Sequence, residues 1–518
     1  MTRKTFFFIP VLLLASVQMR AQCAADPYSD DFRNWVRTIG SDEFGGRKPM
    51  TPFETKTIDY IAGEFHALGL QPAFDGSYFQ KVKELSTTVS FPEKGIPVRT
   101  PKGTIRLSCP EDIVVWTTKG LDKQVYNKTE YVFCGFGINA PEYDWNDYEG
   151  IDVKGKIVIA MVNDPGFYDE TLFRGRNMTY YGRWRCKMEY AQSLGAEGCL
   201  IIHNEAAASY GWHVCYNGRL GSNITLFDEQ TGNLDELAMR GWLNENACRR
   251  LFEMAGVDFD EAIASAKKPG FKPIPLGISS SFKMDVKCQT GESYNVAGVL
   301  PGTDLKDECV AFSAHWDHFG TDAPDGNGDP IYNGAADNGS GIAGIMMIAK
   351  KLQSMPTPRR SILFLSSTSE ESGLLGSRYY CSNPAFPMEK TVACFNFDCI
   401  APSPLTRDVR ISVNVNPYLQ NLISAAAVAQ GRHVVVNRDN RDGRFFRSDH
   451  WNFVMKGVPA AVLQDGVELV NPDRPNKYPR PTWYHKPNDE YREDWDIEGA
   501  IANVNLLFSV ALSVANRQ

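Results

Sequence analysis

Beyond residue 278 the chain carries five short, almost wholly apolar runs, at 296–300, 309–314, 362–366, 392–396 and 460–463, separated by stretches of helical periodicity such as 341–353. Unbroken apolar runs of this length are strands covered on both faces, because a strand with one wet face alternates polar and apolar residues. Strands interleaved with helices dictate an α/β fold, a mainly parallel mixed sheet sandwiched by helices. In such sheets ligands bind beyond the carboxyl ends of the strands. Three of the runs lead straight into titratable residues: His315 after the second, the adjacent pair Glu370 and Glu371 after the third, and Asp398 after the fourth.

At 518 residues and 43% apolar content, the chain is too long for one ordinary domain and apolar enough to build more than one core. Residues 31–70 alternate acid, base and apolar positions at helical spacing, clearest in Asp59-Tyr60-Ile61-Ala62-Gly63-Glu64-Phe65, and read as two helices. From 129 to 203 short apolar runs alternate with Gly, Pro and Asp turns, which predicts a separate β-rich unit. Within it, a helix near 183–194 leading into a strand at 198–202 reads as a β-α-β element. The net charge of −8 excludes a nucleic-acid binder with a basic footprint.

Residues 1–21 read as an export signal, with Arg3 and Lys4 ahead of an apolar stretch at 6–17 and a cleavage site at Met19-Arg20-Ala21. The stretch is short for a bilayer span, and Arg20-Ala21-Gln22 lacks the apolar-then-small pattern of a lipid anchor at Cys23. No later segment reads as a span, so we expect a periplasmic or extracellular protein without stable membrane insertion. The twelve cysteines are scattered without a dense framework or a CxxC knuckle. Cys199 sits in an apolar run and reads as a buried small hydrophobe, while Cys394 and Cys399, flanking Asp398, are either a local pair or two free thiols.

A Glu-Glu dipeptide is common on solvated helix faces and means little alone. Its company changes the reading: His315-Trp316-Asp317-His318 and Gly334-Ala335-Ala336-Asp337-Asn338-Gly339-Ser340-Gly341 precede it, and Asn396-Phe397-Asp398 and Tyr484-His485-Lys486-Pro487 follow. Separately these are a core histidine, a turn with a helix cap, a strand end and an exposed loop. Brought to one sheet edge, two imidazoles and three carboxylates suit a pair of zinc-like ions, a shared carboxylate bridging them and a further carboxylate left as base. Asp317 is placed to accept a hydrogen bond from the other ring nitrogen of His315, and Asp337 directly precedes a helix beginning near Ser340. The Asp-rich stretch from Asp322 to Asp329 lacks the closing glutamate of an EF-hand and reads as a rim loop.

On these motifs, and on Glu370-Glu371-Ser372-Gly373-Leu374-Leu375-Gly376-Ser377, the chain resembles the M-twenty-eight metallopeptidases, the co-catalytic dizinc aminopeptidases that also include glutamate carboxypeptidase II. The resemblance implies that Asp337 bridges two zinc ions, that His315 and Asp398 complete one site and Glu371 and His485 the other, and that Glu370 is the general base. It also implies that Tyr484 donates to the developing oxyanion. Phe133-Cys134-Gly135-Phe136-Gly137-Ile138, Tyr143-Asp144-Trp145-Asn146-Asp147-Tyr148 and Val153-Lys154-Gly155-Lys156-Ile157-Val158 are similar to the protease-associated domain that larger members carry as an insert. Asp42-Glu43-Phe44-Gly45-Gly46-Arg47 resembles the family's N-terminal lead-in, and Ser448-Asp449-His450 a stretch near the substrate cleft. The expected organisation is a signal peptide at 1–21, the N-terminal part of the peptidase domain at 22–120, a protease-associated insert at 121–277 and the catalytic domain at 278–518. Aminopeptidase action on peptides leads. The alternatives are a glutamate carboxypeptidase-like or dipeptidyl peptidase activity, a glutaminyl cyclase, which needs one zinc and fewer ligands, or a non-catalytic binding protein. A carboxypeptidase needs a cationic pocket; Arg438, Arg441, Arg444 and Arg447 are its candidate source, or else a solvated loop.

Overall fold

A computed structural model describes residues 26–217, 219, 221–322 and 328–517. The export signal, Cys23 and most of the Asp322 to Asp329 loop lie outside the described residues.

The sheet that carries the sequence-predicted runs is built around the strand Leu305–His315, paired in parallel with Arg360–Ser367 on one side and Thr391–Asn396 on the other. Ala460–Gln464 extends it in parallel beyond Thr391–Asn396. Their central runs are apolar because both faces are covered there, while the entry of Leu305–His315, with Lys306 and Asp307, is exposed. Val310, Phe312 and Ala314 face one core with Phe364 and Phe395, while Cys309 and Ala311 face the other with Leu363, Leu365 and Tyr380. The Phe312 ring stacks on Phe364 at 5.6 Å and on Phe397 at 6.2 Å. Burying each such ring contributes about 2–3 kcal/mol.

The first helix pair matches the sequence reading. Ser29–Ile39 and Pro52–Ala67 pack Phe32, Val36, Ile39, Ile61 and Phe65 into the same core as Ser340–Leu352. The C-terminal helix Glu498–Ala515 is long and apolar enough by length and composition to cross a membrane, which corrects the expectation that no later segment is. Its apolar character has a structural cause: 67% of it is buried, among the sheet and the helices Ser340–Leu352 and Pro417–Ala429.

The run at 296–300 is the end of a 27-residue strand, Ile274–Leu300, antiparallel to Arg360–Ser367. Its first part alternates buried and exposed residues and pairs antiparallel with Phe79–Ser90 and Lys123–Phe133. Lys123–Phe133, Ile157–Met161, Gly198–His203 and Met239–Asn244 form a second parallel array, with Trp184–Ser193 as the helix between two of its strands. The core of this unit also draws in Ile96, Val98, Leu107 and Ile113, and it reaches Met284. The eleven described cysteines are all free, Cys394 and Cys399 included.

Candidate metal centre

Each candidate ligand arrives on a different connection at the carboxyl edge of the parallel strands. His315 is the last residue of its strand, 1% exposed. Glu370 and Glu371 follow the end of Arg360–Ser367 in the bend before Leu375–Ser382, and Asp398 stands two residues past Thr391–Asn396. Asp337 lies in the glycine-bearing turn before Ser340–Leu352, and His485 in the loop ahead of the last helix. Several of these bends use left-handed backbone at non-glycine residues: Ser369 at φ 51°, Cys399 at 57° and His485 at 56°. Each costs on the order of 1–3 kcal/mol and persists only where the surroundings impose it, as in sites set up before the ligand binds.

The sequence-predicted ligands converge. Asp337 sits between the two histidines, its Oδ1 3.3 Å from His315 Nε2 and its Oδ2 3.4 Å from His485 Nε2. Asp398 Oδ1 lies 3.8 Å from His315 Nε2, and Glu371 Oε2 3.3 Å from His485 Nε2. Two groups of donor atoms, each gathered within 4.8 Å, share Asp337: one with His315 and Asp398, the other with Glu371 and His318.

The donor set fits a pair of borderline dications. Asp337, Glu370, Glu371 and Asp398, with Asp317, Asp449 and Asp489 behind them, bring a dense negative charge into a largely water-free region. Unpaired charge there is costly. Burial pushes the Glu371 carboxyl up to about 8, with Asp337 and Asp317 adding to the shift, and holds Glu370 well above the carboxylate range, with Glu371 and Asp398 adding to it. Burial acts against charge on His315 too, but Glu370 and the flanking aspartates override it and raise the imidazole well above its ordinary value. Imidazole nitrogen and carboxylate oxygen around a shared aspartate are the ligand chemistry of zinc pairs.

Asp317 does something other than expected. His315 Nδ1 lies 3.1 Å from the main-chain oxygen of Asp317 and 3.7 Å from its carboxylate. The carboxylate instead accepts the main-chain N–H of Glu370 at 2.9 Å and of Glu371 at 3.3 Å. The reason is the order of the bend: those N–H groups point back at the strand end and would otherwise be buried unpaired. Tyr484 stacks on His485 with ring centroids 3.8 Å apart, and the Arg480 guanidinium covers its other side at 4.2 Å. Of the four candidate arginines, Arg444 and Arg447 line the adjoining cavity, whereas Arg441 pairs with Asp439 at 2.8 Å.

Sequence reasoning left three supporting residues without a role. His318 Nδ1 lies 2.8 Å from Glu371 Oε1, on the far side of that carboxylate from His485. Asp489 accepts the N–H of Ala336 at 2.8 Å and of Asp337 at 2.9 Å, and burial lifts it to about 6. Arg47, wholly buried, donates to the carbonyls of Trp316, Ile39 and Gly334 at 2.8–2.9 Å, so the lead-in turn is stitched to both ligand loops. His318 was visible inside the first motif. Asp489 and Arg47 carry no spacing signal, because their partners are main-chain groups far away in sequence.

Residues 295–509 match the profile of peptidase family M28. The chain is 27% identical over 247 residues to the probable lipoprotein aminopeptidase LpqL of Mycobacterium tuberculosis, a match covering 46% of this chain and 45% of that protein. It is 25% identical over 364 residues to aminopeptidase YwaD of Bacillus subtilis, covering 68% of this chain and 62% of that protein. The match spans less than half the length of the first of these relatives and under two thirds of the second. Among solved structures, the aminopeptidase from Aneurinibacillus sp. strain AM-1 is similar at a TM-score of 0.50 and 18% identity, covering 94% of both chains, a likeness of fold. Over residues 295–509, the part that carries the candidate ligands, the chain is thus similar to peptidase family M28.

Proposed function

We propose that this protein is an exported dizinc aminopeptidase with a protease-associated insert, and that it removes N-terminal residues from peptides. The observation that carries the reading is the position of Asp337, each carboxylate oxygen turned toward a different histidine. His315 and Asp398 would hold one zinc ion, Glu371 and His485 the other, with Asp337 common to both. Bound there, the ions supply Lewis acidity and a water acidic enough to be deprotonated near neutral pH. Glu370 would serve as the base, accepting a proton from the attacking water and giving it to the departing amine, a role suited to a carboxyl whose affinity for protons is raised by burial. Tyr484, fixed between His485 and Arg480, donates its O–H to the oxyanion that develops at the scissile carbonyl. His318 orients Glu371, and Asp317 orients the main chain of both glutamates. The naming of the Mycobacterium relative as a lipoprotein aminopeptidase accords with export, as does the apolar stretch at 6–17.

A second reading, a carboxypeptidase-like specificity, is favoured by the arginines of the adjoining cavity. The purified, zinc-loaded protein assayed on aminoacyl, dipeptidyl and carboxyl-terminal chromogenic substrates, with and without chelator, separates the two. Chelator-sensitive cleavage confined to free-amine substrates supports the aminopeptidase, and cleavage confined to free-carboxylate substrates overturns it.

A further inference from the structure

The turn Asp42–Arg47 lies far ahead of every candidate ligand in the sequence, yet it is built into the metal centre. Gly45, Gly46 and Arg47 pass consecutively through left-handed backbone, at φ 51°, 68° and 51°. Gly46 has no room for a side chain: a Cβ there would stand 2.4 Å from the carbonyl oxygen of Gly320 and 2.6 Å from that of Tyr332. The turn is therefore pressed onto the paired strands Gly320–Thr321 and Ile331–Tyr332, and the Arg47 side chain is wholly buried. Left-handed backbone at an arginine persists only where its surroundings impose it.

All five N–H groups of the Arg47 guanidinium go to main-chain carbonyls, and none goes to a carboxylate. Nε donates to Trp316 at 2.8 Å, Nη1 to Ile39 at 2.9 Å and to Asn333, and Nη2 to Gly334 at 2.8 Å and to Asp337 at 3.4 Å. The carbonyl of Arg47 in turn accepts the N–H of His318 at 3.3 Å. Trp316 stands between His315 and Asp317, Asp337 is common to both groups of donor atoms, and His318 pairs with Glu371. Asp337 is thus held on both sides, its N–H by Asp489 and its C=O by Arg47. A planar fork with five donors can tie these segments together, whereas a lysine ammonium has three donors and no fork.

We infer that Arg47 is a positioning residue of the metal centre: its guanidinium fixes the separation between the His315 strand end and the Asp337 turn, and so sets the affinity and the geometry of the bound ions. The inference deepens the dizinc reading and rests on it for the number of ions.

Arg47→Lys keeps the charge and gives up the fork, and two measurements on it are independent of turnover. Zinc affinity by chelator competition should fall by about tenfold or more, as for other residues that orient ligands. The visible absorption of the cobalt(II)-loaded variant, recorded at saturating metal, should differ from that of wild type, because those bands report the arrangement of the ligands. Ile61→Ala, which removes a buried side chain from a helix that supplies no candidate ligand, should lower stability and leave zinc affinity and the cobalt bands as in wild type. Asp42→Ala, at an exposed position, deletes the acceptor of Asn333 Nδ2 at 2.8 Å and should weaken zinc binding by a smaller factor, which decides the question if Arg47→Lys does not fold. Unchanged affinity and unchanged cobalt bands in Arg47→Lys, or unchanged affinity in Asp42→Ala where Arg47→Lys does not fold, overturn the inference and leave the dizinc reading intact. An equal loss of affinity in Ile61→Ala at equal loss of stability overturns it as well. Wild-type protein that takes up one cobalt ion instead of two overturns the dizinc reading, and the effect of Arg47→Lys on that single ion then decides the inference by itself.

Discussion

The carboxylate of Asp317 grips the backbone of the glutamate pair, accepting the N–H of Glu370 at 2.9 Å and of Glu371 at 3.3 Å. The two side chains that bend carries therefore take their direction from a residue on the neighbouring strand end. Asp317→Asn replaces one acceptor oxygen with a donor facing an N–H. We expect kcat/KM to fall by roughly 10–100-fold, in the range typical of residues that orient ligands. Steady-state kinetics alongside zinc content check this, and an unchanged rate would remove Asp317 from the machinery.

Glu370 and Asp337 should fail differently. Glu370→Gln keeps both donor groups, so zinc content should stay near wild type while kcat drops by about 10²–10⁴-fold. Asp337→Ala deletes the carboxylate common to both groups and should lose metal. Elemental analysis of the two variants distinguishes proton carrier from bridge, and full activity in Glu370→Gln would be fatal to the base assignment.

Asp489 acts on the centre through the main chain, accepting the N–H groups of Ala336 and Asp337. Asp489→Asn can satisfy only one of the two N–H groups, and Asp337 should be held less firmly. Zinc affinity, measured by chelator competition, is expected to weaken by roughly 10-fold or more, with secondary structure unchanged by circular dichroism.

A pH effect on stability should arise at a buried carboxyl that is not itself a candidate ligand. Glu84, fully buried on Phe79–Ser90, has its carboxyl raised by burial from the ordinary 4.5 to about 8. The folded state thus binds a proton that the unfolded state has released between those values, so the stabilisation is complete below 4.5 and fades as pH rises through about 8. Glu84→Gln removes this dependence. The difference in unfolding free energy between variant and wild type should grow in favour of the variant by a few kcal/mol, to order of magnitude, from pH 5 to pH 9. A pH-independent difference in denaturant titrations would refute the linkage.

What could be read in advance followed from burial on both sides. The runs at 309–314, 362–366, 392–396 and 460–463 became parallel strands because nothing charged interrupts them. His315, Glu370, Glu371 and Asp398 were placed by the same logic, since the carboxyl ends of such strands share an edge. The long strand Ile274–Leu300 escaped: only its last residues are uniformly apolar, and the alternating part serves a different core. The supports Asp489 and Arg47 escaped because hydrogen bonds to distant main-chain groups leave no periodicity, whereas His318, present in the first motif, pairs with the side chain of Glu371. The cavity beside the centre was half visible, as Arg444 and Arg447, while Arg183 and Arg219, more than 200 residues upstream, line it only through folding.

The strand Ile274–Leu300 has a consequence for how such a protein could be trimmed. Residues 279–285 lie against Lys123–Phe133, and the outer side of Phe79–Ser90 is paired with Asn223–Leu226. Excising residues 121–277 would strip both partners at once and leave a long row of open N–H and C=O groups, a template on which a second molecule could add its own strand. The strands Lys123–Phe133 and Asn223–Leu226 thereby cover edges of the sheet that would otherwise stand open.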